Sequence, residues 1–164
     1  MIRRLDLAQR ADSDWVRDTA QLVYADLGDY GTIIPGWMSH PGVLTYLEVD
    51  DDGLRRGFIL LGFYEPGDRR AALVADLLAI GVDPRYQRQG IGRSLLEFAL
   101  ELSGEAAKQS HVSEIRLTVA ATNRPALALF HAAGFEVLDA HHGAYDGGQR
   151  AIRMVKKLGS AAPP

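Results

Sequence analysis

A glycine-containing, basic turn is the stretch of this sequence whose residue types are best suited to chemistry. It reads Gln87-Arg88-Gln89-Gly90-Ile91-Gly92, follows an apolar run that ends at Val82, and leads directly into an amphipathic segment. A turn at the N-terminus of a helix presents unpaired backbone N–H groups and the positive end of the helix dipole. The sequence therefore predicts a binding site for a phosphate or pyrophosphate group here. Further polar side chains beside the turn are Arg85, Arg93 and Ser94.

Two widespread phosphate-binding motifs do not describe this turn. The dinucleotide-binding fingerprint requires a third glycine or alanine at the position of Leu95. The P-loop requires Gly-Lys-Ser/Thr, where this chain has Gly92-Arg93-Ser94. The predicted anion site therefore belongs to neither of these nucleotide-binding classes.

Length and composition narrow the classes of protein to which the chain can belong. Its 164 residues predict one domain, and a formal net charge of −3 argues against a broad nucleic-acid-binding surface, which would be basic. The absence of cysteine excludes disulfides, cysteine–zinc sites and thiolate catalysis by the protein. We expect no bound metal, because the adjacent His141 and His142 fall on a strand end and face opposite ways. Since no apolar stretch is long enough to span a bilayer and no signal peptide is recognisable, we expect a soluble, cytoplasmic protein that does not associate with membranes.

The predicted secondary structure places the turn between a strand and a helix of a mixed α/β layer. Hydrophobic periodicity gives the order strand, helix, irregular loop, three strands, helix, strand, helix and two strands. The strands are predicted over residues 2–7, 43–49, 57–64, 71–82, 114–120, 135–141 and 150–158. The helices are predicted from residue 12 or 13 to about 27, from 90 to about 108, and over 123–133. Turns are predicted over residues 50–53 and 65–70.

Two segments near the N-terminus carry more specific expectations. Asp12 or Ser13 is expected to cap the first helix. The side chains expected to face inward from that helix are Trp15, Val16, Thr19, Leu22 and Val23. Residues 28–42 contain four glycines and two prolines, which predicts an irregular loop. Its aromatic residues either cover the core or form one wall of a substrate site.

The turn and a second motif resemble the GCN5-related N-acetyltransferase (GNAT) superfamily. The acetyl-CoA loop of that family reads Gln/Arg-x-x-Gly-x-Gly/Ala after the fourth strand, and residues 87–92 match it in full. The second family signature is present as Asn123-x-x-Ala126-x-x-Leu129-Phe130-x-x-x-Gly134-Phe135. The resemblance implies a single α/β domain over residues 1–158. The small and proline-rich residues 159–164 are expected to form a flexible tail. Its central sheet is expected to be mixed, mostly antiparallel and splayed between strands 4 and 5, with helices on both faces.

The resemblance also implies that acetyl-CoA is the bound ligand and the acetyl donor. Its pantetheine arm is expected to pair with the backbone near Ile80 and Val82, and its pyrophosphate is expected to rest on the N–H groups of residues 87–92. The N–H of Val82 is the candidate for polarising the thioester carbonyl. The residues thereby expected to contact the cofactor are Ile80, Val82, Gln87, Arg88, Gln89, Gly90, Ile91, Gly92, Arg93, Ser94, Asn123, Ala126 and Phe130.

The reaction implied is direct attack of a primary amine on the thioester, which is the work of an acyltransferase. The acceptor is a lysine or N-terminus of a protein, or a small-molecule amine. Asp76 is the candidate base because strand alternation places it on the same face as Ile80 and Val82. The alternative is a buried carboxylate held by an arginine or by backbone groups. Glu48, Asp26 and Asp29 are the other acids considered for the role of base.

Phe130 departs from the family pattern, because many members have tyrosine there as the general acid for the CoA thiolate. Phenylalanine has no proton to donate, and the candidates to replace it are Tyr145, Tyr30 and a water molecule. Catalysis is not excluded without such an acid, because a thiolate is a tolerable leaving group at pH 7. We therefore name Tyr145 together with Asp76 as the catalytic candidates. The alternative function is a non-catalytic acetyl-CoA sensor or partner subunit, and an enzyme that uses a longer acyl-CoA is a further one.

The C-terminal segment gives an indication of the acceptor. Tyr145-x-Gly147-Gly148-Gln149-x-Ala151-Ile152-x-Met154 looks like the last hairpin of protein N-terminal acetyltransferases, in which a tyrosine-bearing hairpin closes over the acceptor peptide. A generic family hairpin is the alternative interpretation. The exposed sheet edges expected in this architecture also favour a homodimer.

Overall fold

Seven β-strands and four α-helices make up the computed structural model, which describes residues 1–67 and 73–159. The strands are β1 (Ile2–Arg4), β2 (Val43–Val49), β3 (Arg55–Tyr64), β4 (Leu73–Val82), β5 (Val112–Ala120), β6 (Glu136–Asp139) and β7 (Ala151–Lys157). The helices are α1 (Arg10–Val23), α2 (Tyr30–Ser39), α3 (Ile91–Ser110) and α4 (Arg124–Ala132), and a 3-10 turn spans Pro84–Tyr86.

One sheet contains all seven strands, in the order β1-β2-β3-β4-β5-β7-β6. The pairs β1–β2, β2–β3, β5–β7 and β6–β7 are antiparallel, and β4–β5 is parallel. The parallel ladder joins Leu73–Leu77 of β4 to β5, which fits the predicted splay between these strands. The predicted mixed, mostly antiparallel sheet is therefore confirmed.

The chain divides into two compact units. The first comprises Met1–Gly62 and Leu78–Phe98, and the second comprises Phe63–Leu77 and Ala99–Pro164. The second half of β4 and the turn that follows it therefore belong to the first unit. The first half of β4, with β5, β6, β7 and α4, belongs to the second.

In the first unit, helices cover both faces of the sheet. One face buries an apolar core beneath α1 and α2, which includes Val16, Ile34, Leu47 and Phe58. The opposite face receives α3, whose residues Ile91 and Leu95 lie against Gly57 of β3. A Cβ at residue 57 would come within 2.9 Å of a Leu95 methyl carbon, so glycine allows the start of α3 to approach the strand closely.

The structure corrects four expectations for the N-terminal segments. Residues 30–39 form helix α2 rather than an irregular loop, because Asp29 caps it through the Thr32 N–H and because Ile34 is fully buried. Neither Asp12 nor Ser13 caps α1, which begins at Arg10 after the N-cap residue Gln9. The buried carboxylate of Asp12 is occupied by two arginines instead. Leu22 is 61% exposed rather than inward-facing, and α1 ends at Val23 rather than near residue 27.

The remaining elements lie where the sequence places them, with boundaries shifted by a few residues. The predicted turn after β2 is present, with Gly53 at φ +81° and the Asp50 side chain accepting from the N–H groups of Asp52 and Leu54. Gly134 ends the α4 segment at φ +94°, as predicted. The expected turn over 65–70, the start of the 71–82 strand and the tail over 159–164 fall partly outside the described residues.

Candidate functional site

The turn that joins β4 to α3 exposes its backbone at the start of a helix of 20 residues. Residues 87–90 are exposed, Arg88 has a positive φ of 64°, and Gly90 has a φ of 82°. The first intrahelical bond runs from the Ser94 N–H to the Gly90 carbonyl, at 3.0 Å. The N–H groups of residues 91–93 therefore precede the regular hydrogen-bond ladder of α3, which is the arrangement that binds anions.

Two of the three arginines around this turn keep their charge available. Arg88 and Arg93 are exposed, and among the ion pairs of residues 1–67 and 73–159 neither has a partner. Arg85 instead binds the buried Asp83, with 2.8 Å between Nη2 and Oδ2. The hydrogen bond from Arg85 holds the pKa of Asp83 below its usual range, so Asp83 stays charged and fixes the turn. Within the described residues, the charges of Arg88 and Arg93 are therefore unpaired at the turn, whereas that of Arg85 is paired with Asp83.

At the end of β4, the backbone N–H groups of successive residues point toward opposite edges of the strand. The N–H of Asp83 donates to the Arg56 carbonyl of β3, at 2.9 Å. Because the N–H groups of successive residues in a strand alternate in direction, those of Val82 and Ile80 point away from β3. The amide of Gln87 donates to the Val82 carbonyl at 3.1 Å, which ties the turn to this edge of the strand.

A tyrosine hydroxyl occupies the same edge at Ile80. The hydroxyl of Tyr24 accepts from the Ile80 N–H at 3.0 Å and donates to the Ile80 carbonyl at 2.6 Å. Tyr24 is the C-cap residue of α1, and its ring lies 4.7 Å from that of Tyr30 between centroids. Sequence reasoning missed Tyr24, because nothing in the local pattern joins a helix terminus to a strand 56 residues away.

Gly81 allows α1 to lie close to this part of β4. A Cβ at this position would come within 2.5 Å of a Phe58 ring carbon and 3.1 Å of a Val23 methyl carbon. Both contacts are shorter than ordinary van der Waals separations, so only glycine fits without displacement of the neighbours. The C-terminal end of α1, and Tyr24 with it, is thereby held against the strand.

In the second unit, Asp76 is buried in a network of side-chain hydrogen bonds. Arg153 of β7 donates to both carboxylate oxygens, from Nη2 at 2.7 Å and from Nη1 at 3.2 Å. The Tyr64 hydroxyl donates to the same carboxylate at 3.2 Å, and Arg153 also reaches the Thr118 hydroxyl at 3.0 Å. Asp76 is 7% exposed. This is the arrangement that the sequence left open as the alternative to a base, and sequence reasoning did not identify Arg153 as its partner.

The buried environment of Asp76 also changes the pKa of the neighbouring Tyr64. Desolvation raises the pKa of Tyr64, and the negative charge of Asp76 raises it further. Its hydroxyl therefore stays protonated and remains a hydrogen-bond donor to Asp76 at neutral pH. Tyr64 is 38% exposed, so the network opens to solvent at this side chain.

The second motif has a clear structural role at the start of α4. Asn123 is the N-cap residue, and its side-chain oxygen accepts from the Ala126 N–H at 3.2 Å. Phe130 is 3% exposed and packs edge to face against Phe135, with 5.9 Å between ring centroids. Asn123 is exposed and Ala126 is half-buried. The cofactor contacts expected for these three residues stay predictions.

Tyr145 lies in a tight turn between β6 and β7. Its N–H donates to the Gln149 carbonyl at 2.9 Å, and its carbonyl accepts from the Gly148 N–H at 2.8 Å. Gly148 has a φ of 93°, which favours glycine. Tyr145 is half-buried, and its catalytic role stays a prediction.

The described residues, 1–67 and 73–159, contain neither a metal-binding cluster nor a membrane-spanning helix. No group of three or more His, Cys, Asp or Glu side chains in these ranges is arranged to hold a metal ion. None of the helices described there is long and apolar enough to cross a bilayer.

Comparison with known proteins identifies relatives of this chain. Residues 7–135 match the family model described as the acetyltransferase (GNAT) family. The [ribosomal protein bS18]-alanine N-acetyltransferase of Escherichia coli strain K12 is 41% identical over 83 residues, which cover 49% of this chain and 53% of that protein. The mycothiol acetyltransferase of a Nocardioides species is 32% identical over 113 residues, which cover 63% of this chain and 36% of that protein. The chain therefore spans about half the length of the first relative and about a third of the second.

Solved structures share the complete fold. The crystal structure of the ribosomal-protein-S18-alanine N-acetyltransferase from Escherichia coli aligns with a TM-score of 0.72 and 25% identity, and the match covers 99% of this chain and 96% of that one. Arabidopsis thaliana NAA60 in complex with a bisubstrate analogue aligns with a TM-score of 0.75 and 14% identity, covering 98% and 99%. The predicted fold is thereby confirmed.

Proposed function

The chain belongs to the acetyltransferase (GNAT) family, and we propose that it transfers the acetyl group of acetyl-CoA to the α-amine at the N-terminus of a protein. The enzyme class, an acyltransferase, is the one its family implies. The observation that carries the proposal is the exposed start of α3, where N–H groups and the free charges of Arg88 and Arg93 meet. These groups fit the pyrophosphate of CoA, a dianion of the right size for a helix N-terminus.

The donor site extends from this turn along the outer edge of β4. We propose that the pyrophosphate binds the backbone of residues 87–92 with Arg93 and Ser94, and that the pantetheine arm follows Ile80 and Val82. The N–H of Val82 then donates to the thioester carbonyl and stabilises the negative charge that develops there. Asn123, Ala126 and Phe130 are proposed to contact the cofactor as the family resemblance implies.

The surroundings of Asp76 favour an α-amine over a lysine as the acceptor. An acceptor must be neutral to attack, which at pH 7 costs roughly 4–5 kcal/mol for a lysine but only about 1 kcal/mol for an α-amine. Both oxygens of Asp76 already accept hydrogen bonds from Arg153, so the carboxylate is engaged in a buried ion pair. We propose Asp76 as the acceptor of the proton from an α-amine, whose deprotonation requires less free energy than that of a lysine. The Escherichia coli relative is likewise named for acetylation of an alanine on a ribosomal protein.

The proposed reaction proceeds by direct attack. The amine lone pair attacks the thioester carbon, the C–S bond breaks, and the nitrogen loses a proton to Asp76 or to water. Tyr145, in its turn between β6 and β7, is proposed to lie against the acceptor peptide. The thiolate that leaves requires a proton, and Phe130 has none to give.

Release of CoA thiol, measured with a thiol reagent, tests the proposal. The chain has no cysteine, so the protein itself contributes no thiol. Peptides with a free N-terminus are compared with the same peptides blocked at the N-terminus and carrying an internal lysine, and with polyamines. We expect release with the free N-termini at least tenfold faster than with the lysines. Equal rates would contradict the α-amine, and no release despite acetyl-CoA binding would favour the sensor.

A pair of variants tests the donor site separately. Arg88→Ala combined with Arg93→Ala removes two charges from the turn and is expected to raise KM for acetyl-CoA about tenfold or more, because charge-assisted hydrogen bonds to phosphate are lost. Arg17→Ala is the matched control, since Arg17 is exposed and pairs with Asp14 and Asp18 on α1. An unchanged KM in the double variant would contradict the site.

Other expectations from the sequence stay predictions. These are the domain boundary at residue 158, the homodimer, and the cytoplasmic location that a supply of acetyl-CoA favours. A small-molecule acceptor is the second candidate, supported by the mycothiol acetyltransferase relative. The polyamines in the panel test that class of acceptor.

A further inference from the structure

A tyrosine side chain covers the outer edge of β4 at Ile80. Tyr24 from α1 binds both backbone groups of that residue, accepting from the N–H at 3.0 Å and donating to the carbonyl at 2.6 Å. Backbone groups on a strand edge need such partners, and here one hydroxyl serves both. The N–H of Val82, two residues nearer the turn, points to the same edge. The phenol therefore closes this edge on the side of Val82 that faces away from the turn.

Three contacts hold the phenol in this position. The N–H of Tyr24 donates to the Ala20 carbonyl at 3.0 Å, at the C-cap of α1. Its ring lies against that of Tyr30, with 4.7 Å between centroids. Gly81 lets the end of α1 approach the strand, because a Cβ there would come within 3.1 Å of a Val23 methyl carbon. A ligand that presses on the phenol must therefore displace a helix end and a second ring with it.

The proposed donor site determines which part of acetyl-CoA faces Tyr24. In that site the pyrophosphate binds residues 87–92 and the thioester carbonyl accepts from the Val82 N–H. The sulfur then lies on the side of the carbonyl carbon nearer the turn, because the pantetheine arm joins it to the pyrophosphate. The acyl carbons lie on the opposite side of the carbonyl carbon, toward Ile80. The acyl group is therefore the part of the ligand that meets the Tyr24 hydroxyl, which is bound at Ile80.

The spacing along β4 leaves room for an acetyl group and little more. The N–H groups of Ile80 and Val82 are about 6.6 Å apart along the strand. The acetyl methyl carbon extends about 1.5 Å from the carbonyl carbon, so about 5 Å remains before the hydroxyl at Ile80. Nonbonded atoms need about 3.5–4.0 Å between their centres. Each further carbon removes more than about 1 Å, so a propionyl group reaches contact and a butyryl group overlaps the phenol.

We propose that Tyr24 is the end wall of the acyl pocket and restricts the donor to acetyl-CoA, an inference that rests on the proposed acetyl transfer. The two hydrogen bonds to Ile80 set the depth of this wall. An apolar pocket discriminates against one added methylene by typically about 10–200-fold. The sequence left open an enzyme that uses a longer acyl-CoA, and a wall at Tyr24 excludes one.

Comparison of acyl-CoA chain lengths tests the proposal. Release of CoA thiol with an N-terminal peptide as acceptor gives kcat/KM for acetyl-, propionyl- and butyryl-CoA. We expect the wild type to use butyryl-CoA at least about 100-fold less efficiently than acetyl-CoA. Tyr24→Ala removes the wall, so we expect the ratio of kcat/KM for butyryl-CoA to that for acetyl-CoA to rise about tenfold or more.

Tyr24→Phe carries the test should Tyr24→Ala fail to fold. It removes only the hydroxyl at the tip of the ring, and we expect the ratio for propionyl-CoA over acetyl-CoA to rise about threefold or more. Tyr46→Phe is the matched control, because it removes a hydroxyl from a half-buried ring that packs on Phe98 in the same unit. Its ratios are expected to stay at the wild-type values. Since each ratio compares two donors on one protein, a general loss of active protein cancels and a change of pocket depth does not.

Binding measurements distinguish this inference from the function on which it rests. Calorimetry gives the Kd of the three acyl-CoAs without any acceptor, and we expect Tyr24→Ala to bind butyryl-CoA more tightly relative to acetyl-CoA than the wild type does. A wild type that transfers butyryl and acetyl groups equally well overturns the role of Tyr24 alone. Ratios that stay at the wild-type values in the Tyr24 variants overturn it too. A wild type that transfers no acyl group overturns the proposed function, and an unchanged ratio of Kd values in Tyr24→Ala then overturns the wall as well.

Discussion

Removing Arg153 is expected to destabilise the protein strongly, because it leaves the charge of Asp76 buried. The side chains of the pair are 10% and 12% exposed, and two hydrogen bonds of 2.7 and 3.2 Å join them. Breaking a buried pair by removing one partner costs about 3–5 kcal/mol. The Tyr64 hydroxyl stays as one donor to the carboxylate, so Arg153→Met is expected near the lower end, at about 3 kcal/mol.

Urea denaturation of four proteins measures this coupling. Arg153→Met, Asp76→Asn and the double variant complete a cycle with the wild type, and we expect the double variant to be more stable than Arg153→Met because no charge is left unpaired. Arg17→Met is the control, since its exposed ion pairs predict a loss below about 1 kcal/mol. A loss of stability in Arg153→Met as small as in this control would refute the reasoning about Asp76.

Substitutions at Asp12, Gly81 and Asn123 test three further features of the structure. Asp12→Asn is expected to cost about 2–3 kcal/mol at pH 7. The hydrogen bond from Arg3 lowers the pKa of Asp12, so in urea titrations this difference should persist down to about pH 4 and disappear only below it. Gly81→Ala places a Cβ 2.5 Å from an aromatic carbon and should lose about 1–3 kcal/mol in thermal unfolding, whereas Gly36→Ala, in open space on a helix, should gain about 0.5–1 kcal/mol. Asn123→Ala should lose about 1 kcal/mol with its helix cap, and a raised KM for acetyl-CoA in Asn123→Asp, which keeps the cap, would identify a cofactor contact as well.

The parts of the fold predicted from the sequence are those fixed by local chemistry. The turn at Asp50 and Gly53 follows from residue types within a few positions, and so does the stop at Gly134. The turn at residues 87–92 was located for the same reason, since its glycines and the helix behind it are neighbours in the chain. No local pattern specifies how the strands pair in the sheet. That part of the prediction came from the resemblance of two motifs to the GNAT superfamily.

The parts that could not be predicted depend on residues far apart in the chain. Helix α2 forms although Pro35 and two glycines disfavour it, because Gln21 of α1 accepts from the Gly31 N–H and Ile34 is buried in the core. The partner of Asp76 is 77 positions away on β7, and its identity follows only from the pairing of strands. A charged residue within an apolar strand indicates that an oppositely charged or hydrogen-bonding partner exists, but it does not identify that partner.

In the candidate site, too, residues that are neighbours in the chain could be predicted and residues that are far apart could not. The anion-binding turn is contiguous, so its residues could be named from the sequence. The Tyr24 hydroxyl acts on a strand 56 positions later and left no signal in the pattern. Asn123 caps α4 by accepting from the N–H of Ala126, three residues later, and the family motif contains the same two residues at the same spacing. The motif alone therefore does not show whether Asn123 stabilises the helix, contacts the cofactor, or does both.

The most direct test of acetyl transfer to an α-amine uses one peptide that carries both a free N-terminus and an internal lysine. After incubation with the chain and acetyl-CoA, tandem mass spectrometry locates the acetyl group within the peptide. We expect acetylation at the N-terminus, and we expect it to be lost when acetyl-CoA is replaced by CoA. An acetyl group on the lysine, or an unmodified peptide despite bound acetyl-CoA, would contradict it.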